Sequence, residues 1–440
     1  MKTINSIPTS KLQRASNIIK TGAKVGGNYV KYYANRVTKS KEEADQILNE
    51  DNAEDIYDGL KNLKGSALKV AQMMSMDKSV LPKEYVEKFS LSQFSVPPLS
   101  GPLISKTFSK SFGKSPSEIF DSFSSDAIYA ASIGQVHKAS KNGEHFAVKI
   151  QYPGVANSIS SDLALVKPFA LKLLNISSKD ADVYFQEVKN KLLEETDYHN
   201  ELIQGKTLAS ECSKLKNIIF PKYYTEFSSD KVLTMEWMEG EHLSTFCERM
   251  AGTPEAHKIS QALWDFYMFQ LHVLKKFHAD PHPGNFLVDK DCNLIVLDFG
   301  CLKTIPDNFY TPYFELVKEE NRNNSNQFKS ILKRLEVLYD DDTPEEEQFI
   351  ESIFSELLSV FTKPFQSETF DFSNEEFFQE IVALGEKLSK DKELRNQNGG
   401  RGSKHFIYMN RTFFGLYNLM FDLKSKNIVT MNYSPDSNGE

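Results

Sequence analysis

The sequence is poor in the residues that staple a fold or span a bilayer. Its four cysteines, Cys212, Cys247, Cys292 and Cys301, form no CxxC and no Cys/His cluster. Neither a disulfide framework nor a structural zinc site is therefore expected, and the pattern fits a reducing compartment. No run of eighteen apolar residues occurs, and no apolar stretch with a cleavage site follows Lys2. A transmembrane helix and a signal peptide are both unexpected. Lys and Arg number 52 against 60 Asp and Glu, a net charge of −8, which argues against a general nucleic-acid binder. There is no internal repeat and no low-complexity block.

Acid is missing altogether from the first 41 residues, which carry nine Lys or Arg before Glu42. Ile18, Ile19, Val25, Tyr29, Val30, Tyr32 and Tyr33 interleave with Lys11, Arg14, Lys20, Lys24, Lys31 and Arg36. This reads as a basic amphipathic helix with a break near Gly26-Gly27. One expectation is attachment to an anionic membrane through Lys11, Arg14, Lys20 and Lys24. A mitochondrial transit peptide and a solvated helix packed on the body are the alternatives.

Apolar residues then recur at helical spacing from Ala53 to Met76 and from Tyr85 to Phe94, where Val96-Pro97-Pro98 stops them. The period switches at Ala127. Lys141-Asn142-Gly143 separates two apolar strands, a hairpin signal. Residues 155 to 207 return to helix, 232 to 238 read as a strand, and helix dominates from Ser260. The exception is 285 to 298, where short strands flank a polar turn. Residues 432–440 read as a disordered tail.

The chemistry lies in His278-Ala279-Asp280-Pro281-His282-Pro283-Gly284-Asn285, followed thirteen residues later by Asp298-Phe299-Gly300. Phosphoryl transfer needs these types: one carboxylate to orient or deprotonate the nucleophile, and an amide and a second carboxylate to hold Mg²⁺ on the phosphates. His282, between two prolines, is expected to be structural. Cys301 shows no sign of a redox role. Upstream, Phe146-Ala147-Val148-Lys149 matches the strand lysine that grips phosphates in kinases. Its carboxylate partner is expected within Glu194 to Glu201, where a continuous helix would put Glu194, Asp197 and Glu201 on one face and Glu195 on the next. Where a glycine-rich phosphate loop belongs, the chain has Tyr129 and then Ala130, Ala131, Ser132, Ile133, Gly134 and Gln135, with one glycine only. After Gly300 no APE motif or long activation segment follows, so a peptide-docking platform is unexpected.

Together these residues resemble the UbiB/AarF family of atypical protein-kinase-like proteins, which includes the mitochondrial coenzyme Q kinases. The resemblance runs from about Leu12 to Thr430. Its most specific part is Lys69-Val70-Ala71-Gln72, similar to the family's KxGQ with Ala71 for the glycine. The resemblance implies a two-lobed kinase-like α+β fold, with a mostly helical extension and a helical insert in the small lobe. The expected segments are a basic arm (1–44), a KxGQ-type extension (45–125), an N-lobe (126–238), a C-lobe (239–431) and a tail (432–440). It implies that Ala130 to Gln135 with Lys149 bind the nucleotide, and that Glu236 and Met238 meet the adenine. Asp280 would be catalytic, Asn285 and Asp298 would hold Mg²⁺, and Glu195 of Glu195-Thr196-Asp197 would pair with Lys149. Lys69, Gln72, Asp197 and Glu201 would regulate or occlude the cleft. ATP or ADP with Mg²⁺ is the expected cofactor set. The implied function is an atypical kinase or ATPase acting on a lipid or small molecule, in support of quinone biosynthesis. A nucleotide-gated scaffold that organises partners without phosphoryl transfer is the alternative, and an aminoglycoside-type phosphotransferase fits Lys69 and Gln72 less well. Expected partners are nucleotide, anionic lipid and quinone-pathway proteins. The expected location is cytoplasmic or peripheral at a membrane, and mitochondrial in a eukaryote.

Overall fold

The structure, a computed structural model, describes residues 11–63, 67, 83–90, 98–131, 133–174, 178–390 and 401–433. Lys69, Ala71, Gln72, Ser132 and residues 434–440 lie outside them. In chain order the α-helices of eight or more residues are α1 (Lys11–Asn35), α2 (Lys41–Leu63), α3 (Lys83–Ser90), α4 (Gly101–Phe112), α5 (Val155–Leu174), α6 (Ser178–Glu195) and α7 (Tyr198–Glu211). Then come α8 (Leu243–Met250), α9 (Pro254–Phe269), α10 (Asp307–Glu315), α11 (Ser325–Arg334), α12 (Pro344–Phe361), α13 (Glu375–Lys390) and α14 (Lys404–Asp422). The strands are β1 (Ser122–Phe123), β2 (Tyr129–Ala130), β3 (Gly134–Lys141), β4 (Glu144–Gln151), β5 (Ile218–Ile219), β6 (Val232–Glu236) and β7 (Glu241–His242). They continue with β8 (Lys276–His278), β9 (Phe286–Val288), β10 (Leu294–Val296), β11 (Leu302–Thr304), β12 (Thr369–Phe370) and β13 (Ile428–Val429). The fold is kinase-like and α+β, and it divides into two compact units, residues 1–202 with 222–237 and residues 203–221 with 238–440.

The first unit is built on an antiparallel sheet of order β1-β3-β4-β6, with β2 beside β3. Asn142 and Gly143 turn β3 into β4 with φ of 51° and 83°. Positive φ at both positions gives the type I′ turn, whose twist matches the strands it joins. Phe146, Val148 and Ile150 of β4 are fully buried and lie in one core with Leu99, Ile104, Phe108 and Phe120. The strand alternation then puts Lys149 on the opposite face.

A second core in the same unit is helical, joining Ile18 of α1, Ile56 and Leu60 of α2, Tyr85 and Phe89 of α3, Leu163 of α5 and Leu192 of α6. Helix α1 runs unbroken through Gly26-Gly27, contrary to the expected break. Its inward seam includes Arg14, Ile18, Thr21 and Asn28. Arg14 is the main correction to the membrane expectation. Its Nε and Nη2 donate to the two Asp162 oxygens at 2.5 and 2.6 Å, and Nη1 donates to Leu63 O at 3.0 Å. The side chains are 5% and 0% exposed, so this charge cannot meet a membrane. Lys24 pairs with Asp55 and Lys31 with Asp51 across α1 and α2.

The second unit has a sheet of order β5-β10-β9-β7, a separate β8–β11 pair and the helices from α8 onward. Trp264, Phe266, Tyr267, Phe286, Phe299 and Leu416 are fully buried in it. Asn432 donates to Asp265 at 3.1 Å and Tyr433 meets the Phe269 ring edge-on. The ordered chain thus passes the point where the tail was expected to begin. None of the four cysteines forms a disulfide. No helix among the described residues is long and apolar enough to cross a membrane.

Candidate active site

In the first unit the site is organised around Lys149. Its Nζ donates to both carboxylate oxygens of Glu201, at 2.8 and 3.0 Å, and lies 5.0 Å from the Tyr198 ring centroid. Glu201 is only 2% exposed. Glu201, expected to regulate or occlude the cleft, is thus a direct partner of Lys149, the role expected of Glu195. The reason is local. The acidic segment is not one helix but two, with α6 ending at Glu195 and α7 beginning at Tyr198. Asp197 starts the second by accepting from Asn200 N–H at 3.0 Å, an N-cap contact that satisfies an orphan donor of the first turn. Glu201 then stands one turn inside α7, three residues from Tyr198 and on the same face. Of the residues assigned to regulation, Asp197 therefore caps a helix and Glu201 binds the lysine.

The alanine-rich loop joins β2 to β3. Ala131 N–H donates to Gly134 O at 2.8 Å and closes it. Gly134 is required here, because a Cβ would come within 2.7 Å of both Ile150 O and the Tyr198 hydroxyl. Ala130 is half-buried and Ala131 is exposed. Two expected nucleotide contacts are corrected. Ile133 is 5% exposed and belongs to the sheet core. Gln135 is 1% exposed and is spent on the chain before it, where its Oε1 accepts from Leu99 N–H at 2.8 Å and its Nε2 donates to Leu99 O at 3.2 Å. Gln135 also donates to His137 Nε2 at 2.9 Å, and His137 Nδ1 donates to Ser124 O at 2.7 Å. Burial lowers the His137 pKa despite that carbonyl, which fits a neutral ring accepting at Nε2. Glu236 ends β6 and accepts from Lys222 N–H at 3.2 Å through its own side chain. The chain leaves the first unit between Trp237 and Met238.

In the second unit the catalytic-type loop hangs from β8. Helix α9 runs into a π-helical turn, Gln270–Leu274, of the kind often found at functional sites. The buried Gln270 side chain accepts from His278 N–H at 2.9 Å and fixes the end of β8, where the loop begins. β11 pairs with β8, and Ala279 N–H donates to Cys301 O at 2.8 Å. Asp280 follows, partly exposed. Its backbone oxygen accepts from His282 N–H at 2.7 Å and from the Asn285 side-chain amide at 2.9 Å. His282 is structural as expected, its Nδ1 accepting from Gly284 N–H at 3.1 Å. Behind the loop, burial first and the Asp280 charge second push the Tyr267 phenol well above its ordinary pKa, so it remains a hydroxyl.

Asn285 lies at one end of the β9–β10 pair, where Leu297, the residue before Asp298, donates its N–H to Asn285 O at 3.0 Å. Asp298 Oδ1 accepts from Gly300 N–H at 2.8 Å, and Phe299 is fully buried against Phe220. With Nδ2 of Asn285 bound to the Asp280 carbonyl, its amide oxygen is the ligand-type atom. An amide oxygen and a carboxylate are the hard donors Mg²⁺ takes while keeping phosphate and water for the rest. Among the described residues no cluster of three or more His, Cys, Asp or Glu offers an all-protein metal cage.

One charged residue at this loop was not foreseen. Arg411 of α14 places Nη2 at 3.4 Å from Asp280 Oδ1. No sequence signal announces it, because 131 residues separate the pair.

A family model for the ABC1 atypical kinase-like domain matches residues 90–332. The chain is 29% identical over 329 residues to an aarF domain-containing protein kinase of Arabidopsis thaliana described as chloroplastic, covering 71% of this chain and 44% of that protein. It is 26% identical over 414 residues to the probable serine/threonine-protein kinase abkA of Dictyostelium discoideum, covering 88% and 73%. The chain thus spans less than half the length of the Arabidopsis relative. Its fold is similar to that of Rv3197 from Mycobacterium tuberculosis, solved with erythromycin, at a TM-score of 0.60 and 24% identity over 89% of this chain and 97% of that one. With more than half its length matched by the family model, the chain belongs to the ABC1, or UbiB/AarF-type, family of atypical kinase-like proteins.

Proposed function

We propose that the chain is a Mg²⁺-dependent, ATP- or ADP-binding atypical kinase or ATPase acting on a lipid or small molecule, in support of quinone biosynthesis. The observation that carries the nucleotide chemistry is that Asn285 binds the Asp280 backbone oxygen through its side chain and pairs with Leu297, the residue before Asp298, through its main chain. In this reading Asn285 and Asp298 hold Mg²⁺, which offsets phosphate charge when bound. Lys149, held by Glu201, grips the phosphates. Asp280 takes the proton of the attacking hydroxyl as its oxygen bonds to the γ-phosphorus and the bond to the departing ADP breaks. The short path from Gly300 through β11 to α10 supports a small acceptor, since it leaves little chain for a peptide platform.

Thermal stability measured with ATP or ADP, each with and without Mg²⁺, tests this reading. A ligand bound only by the folded state raises apparent stability by mass action. Mg²⁺-dependent stabilisation of the wild type, lost in Asp298→Asn, is expected. Equal stabilisation of both proteins would sink the metal assignment. Tight binding with no turnover under any lipid condition would instead favour the scaffold reading.

Peripheral membrane binding is part of the same proposal, with its contact residues revised. Leu12, Ile19, Val30 and Tyr33 lie on one side of α1, each at least 70% exposed, and exposed Lys20 flanks them. Such a stripe suits the boundary of an anionic bilayer. Flotation with phosphatidylglycerol vesicles should fall several-fold in Ile19→Glu/Val30→Glu. Undiminished flotation would exclude the stripe.

A further inference from the structure

Helix α14 is fixed against the catalytic-type loop at two points and against β11 at a third. Gly415 faces Pro281, and a Cβ at 415 would run into the proline ring. One turn earlier, Arg411 Nη2 reaches Asp280 Oδ1 at 3.4 Å, with the two side chains 31% and 21% exposed. Three residues before that, the Tyr408 ring receives Lys303 of β11, Nζ 4.9 Å from its centroid. Residues 408, 411 and 415 are spaced by three and four, so one face of the helix carries all three contacts. The neighbouring Asn410 accepts from the hydroxyl of Tyr313 on α10 at 3.2 Å and resists rotation of the helix. The glycine is the telling residue: it costs helix propensity in the middle of a helix, and here it permits the close approach that brings the guanidinium to the aspartate.

We infer that Arg411 is a positioning residue for Asp280. It holds the carboxylate in the orientation that receives the acceptor proton. It also balances the carboxylate charge as an anionic phosphoryl group approaches, because the planar guanidinium fork is wide enough to span two oxygens. The inference rests on the kinase or ATPase reading above. It makes α14 part of the active site.

The test is ATP hydrolysis by the full chain carrying Arg411→Gln or Arg411→Lys, with kcat and KM measured separately. In Arg411→Gln, kcat should fall about tenfold to a hundredfold, the size of a modest misplacement of a catalytic group. KM for Mg-ATP should stay within about twofold, since the phosphate and metal groups are untouched. Arg411→Lys should keep a large part of kcat, and millimolar guanidinium ion should restore part of the Arg411→Gln activity but none of that lost in Asp280→Asn. An unchanged kcat in Arg411→Gln, or a loss confined to KM, overturns the inference alone. So does a lost kcat that neither lysine nor guanidinium restores and that tracks a lowered melting temperature, because Arg411 would then be structural. A wild type that hydrolyses no ATP overturns this inference and the reading beneath it together.

Discussion

Arg14→Met is expected to lower stability by about 3–5 kcal/mol, the usual cost of stripping one partner from a buried ion pair. The loss comes less from the missing attraction than from the carboxylate left behind. Asp162 is fully buried; besides the two guanidinium bonds, it accepts from Ser158 Oγ at 2.9 Å. The uncompensated charge would sit between α1, α2 and α5. Urea unfolding should show an earlier transition for the first unit. The double replacement Arg14→Met/Asp162→Leu should recover most of the loss, since an apolar pair of similar volume is often neutral. A shift below about 1 kcal/mol in the single variant would refute the buried pair. The result also governs how membrane experiments are designed. Reversing Arg14 with its neighbouring lysines would damage the fold, and a lost vesicle signal would then say nothing about lipid.

The second large effect concerns the partner of Lys149. On the proposed function, Glu201→Gln should reduce turnover about a hundredfold, as expected when a phosphate-gripping cation loses its anchor and shifts by an ångström. Glu195→Gln should cost less, because Lys149 Nζ donates to both carboxylate oxygens of Glu201. Initial rates of ADP release for the two variants decide between them. Equal loss in both, or the greater loss in Glu195→Gln, would return the role to Glu195.

The same pair illustrates what the linear chain discloses. Lys149 was legible because its signals are local: Asn142-Gly143 fixes the hairpin, and the alternation of Phe146, Val148 and Ile150 sets the face on which the lysine stands. Asp280, Asn285 and Asp298 were legible because they are spaced along one loop and one short strand pair. Glu201 was misassigned although its signal was present. Asp197 followed by Tyr198 and Leu202 is a helix start, and reading it so would have divided the acidic segment at the right place. Ile133 and Gln135 look like phosphate-loop residues until Leu99 arrives from 36 residues upstream to claim the amide. Arg14 and Arg411 were opaque for a different reason. A lone arginine on an amphipathic helix carries no mark of whether a carboxylate from a distant segment will bury it, and that decision belongs to tertiary packing.

The bond between Arg14 and Asp162 also sets an order of events. The residues it joins are 148 apart in the chain. At synthesis rates of about 5–20 residues per second, Asp162 follows Arg14 by on the order of ten seconds. Throughout that interval α1 has neither its counter-ion nor the α5 surface on which it comes to rest, while its apolar residues are already made. The nascent arm therefore spends its first seconds with α2 as its partner, through pairs such as Lys24–Asp55, and completion of α5 brings the carboxylate that buries Arg14.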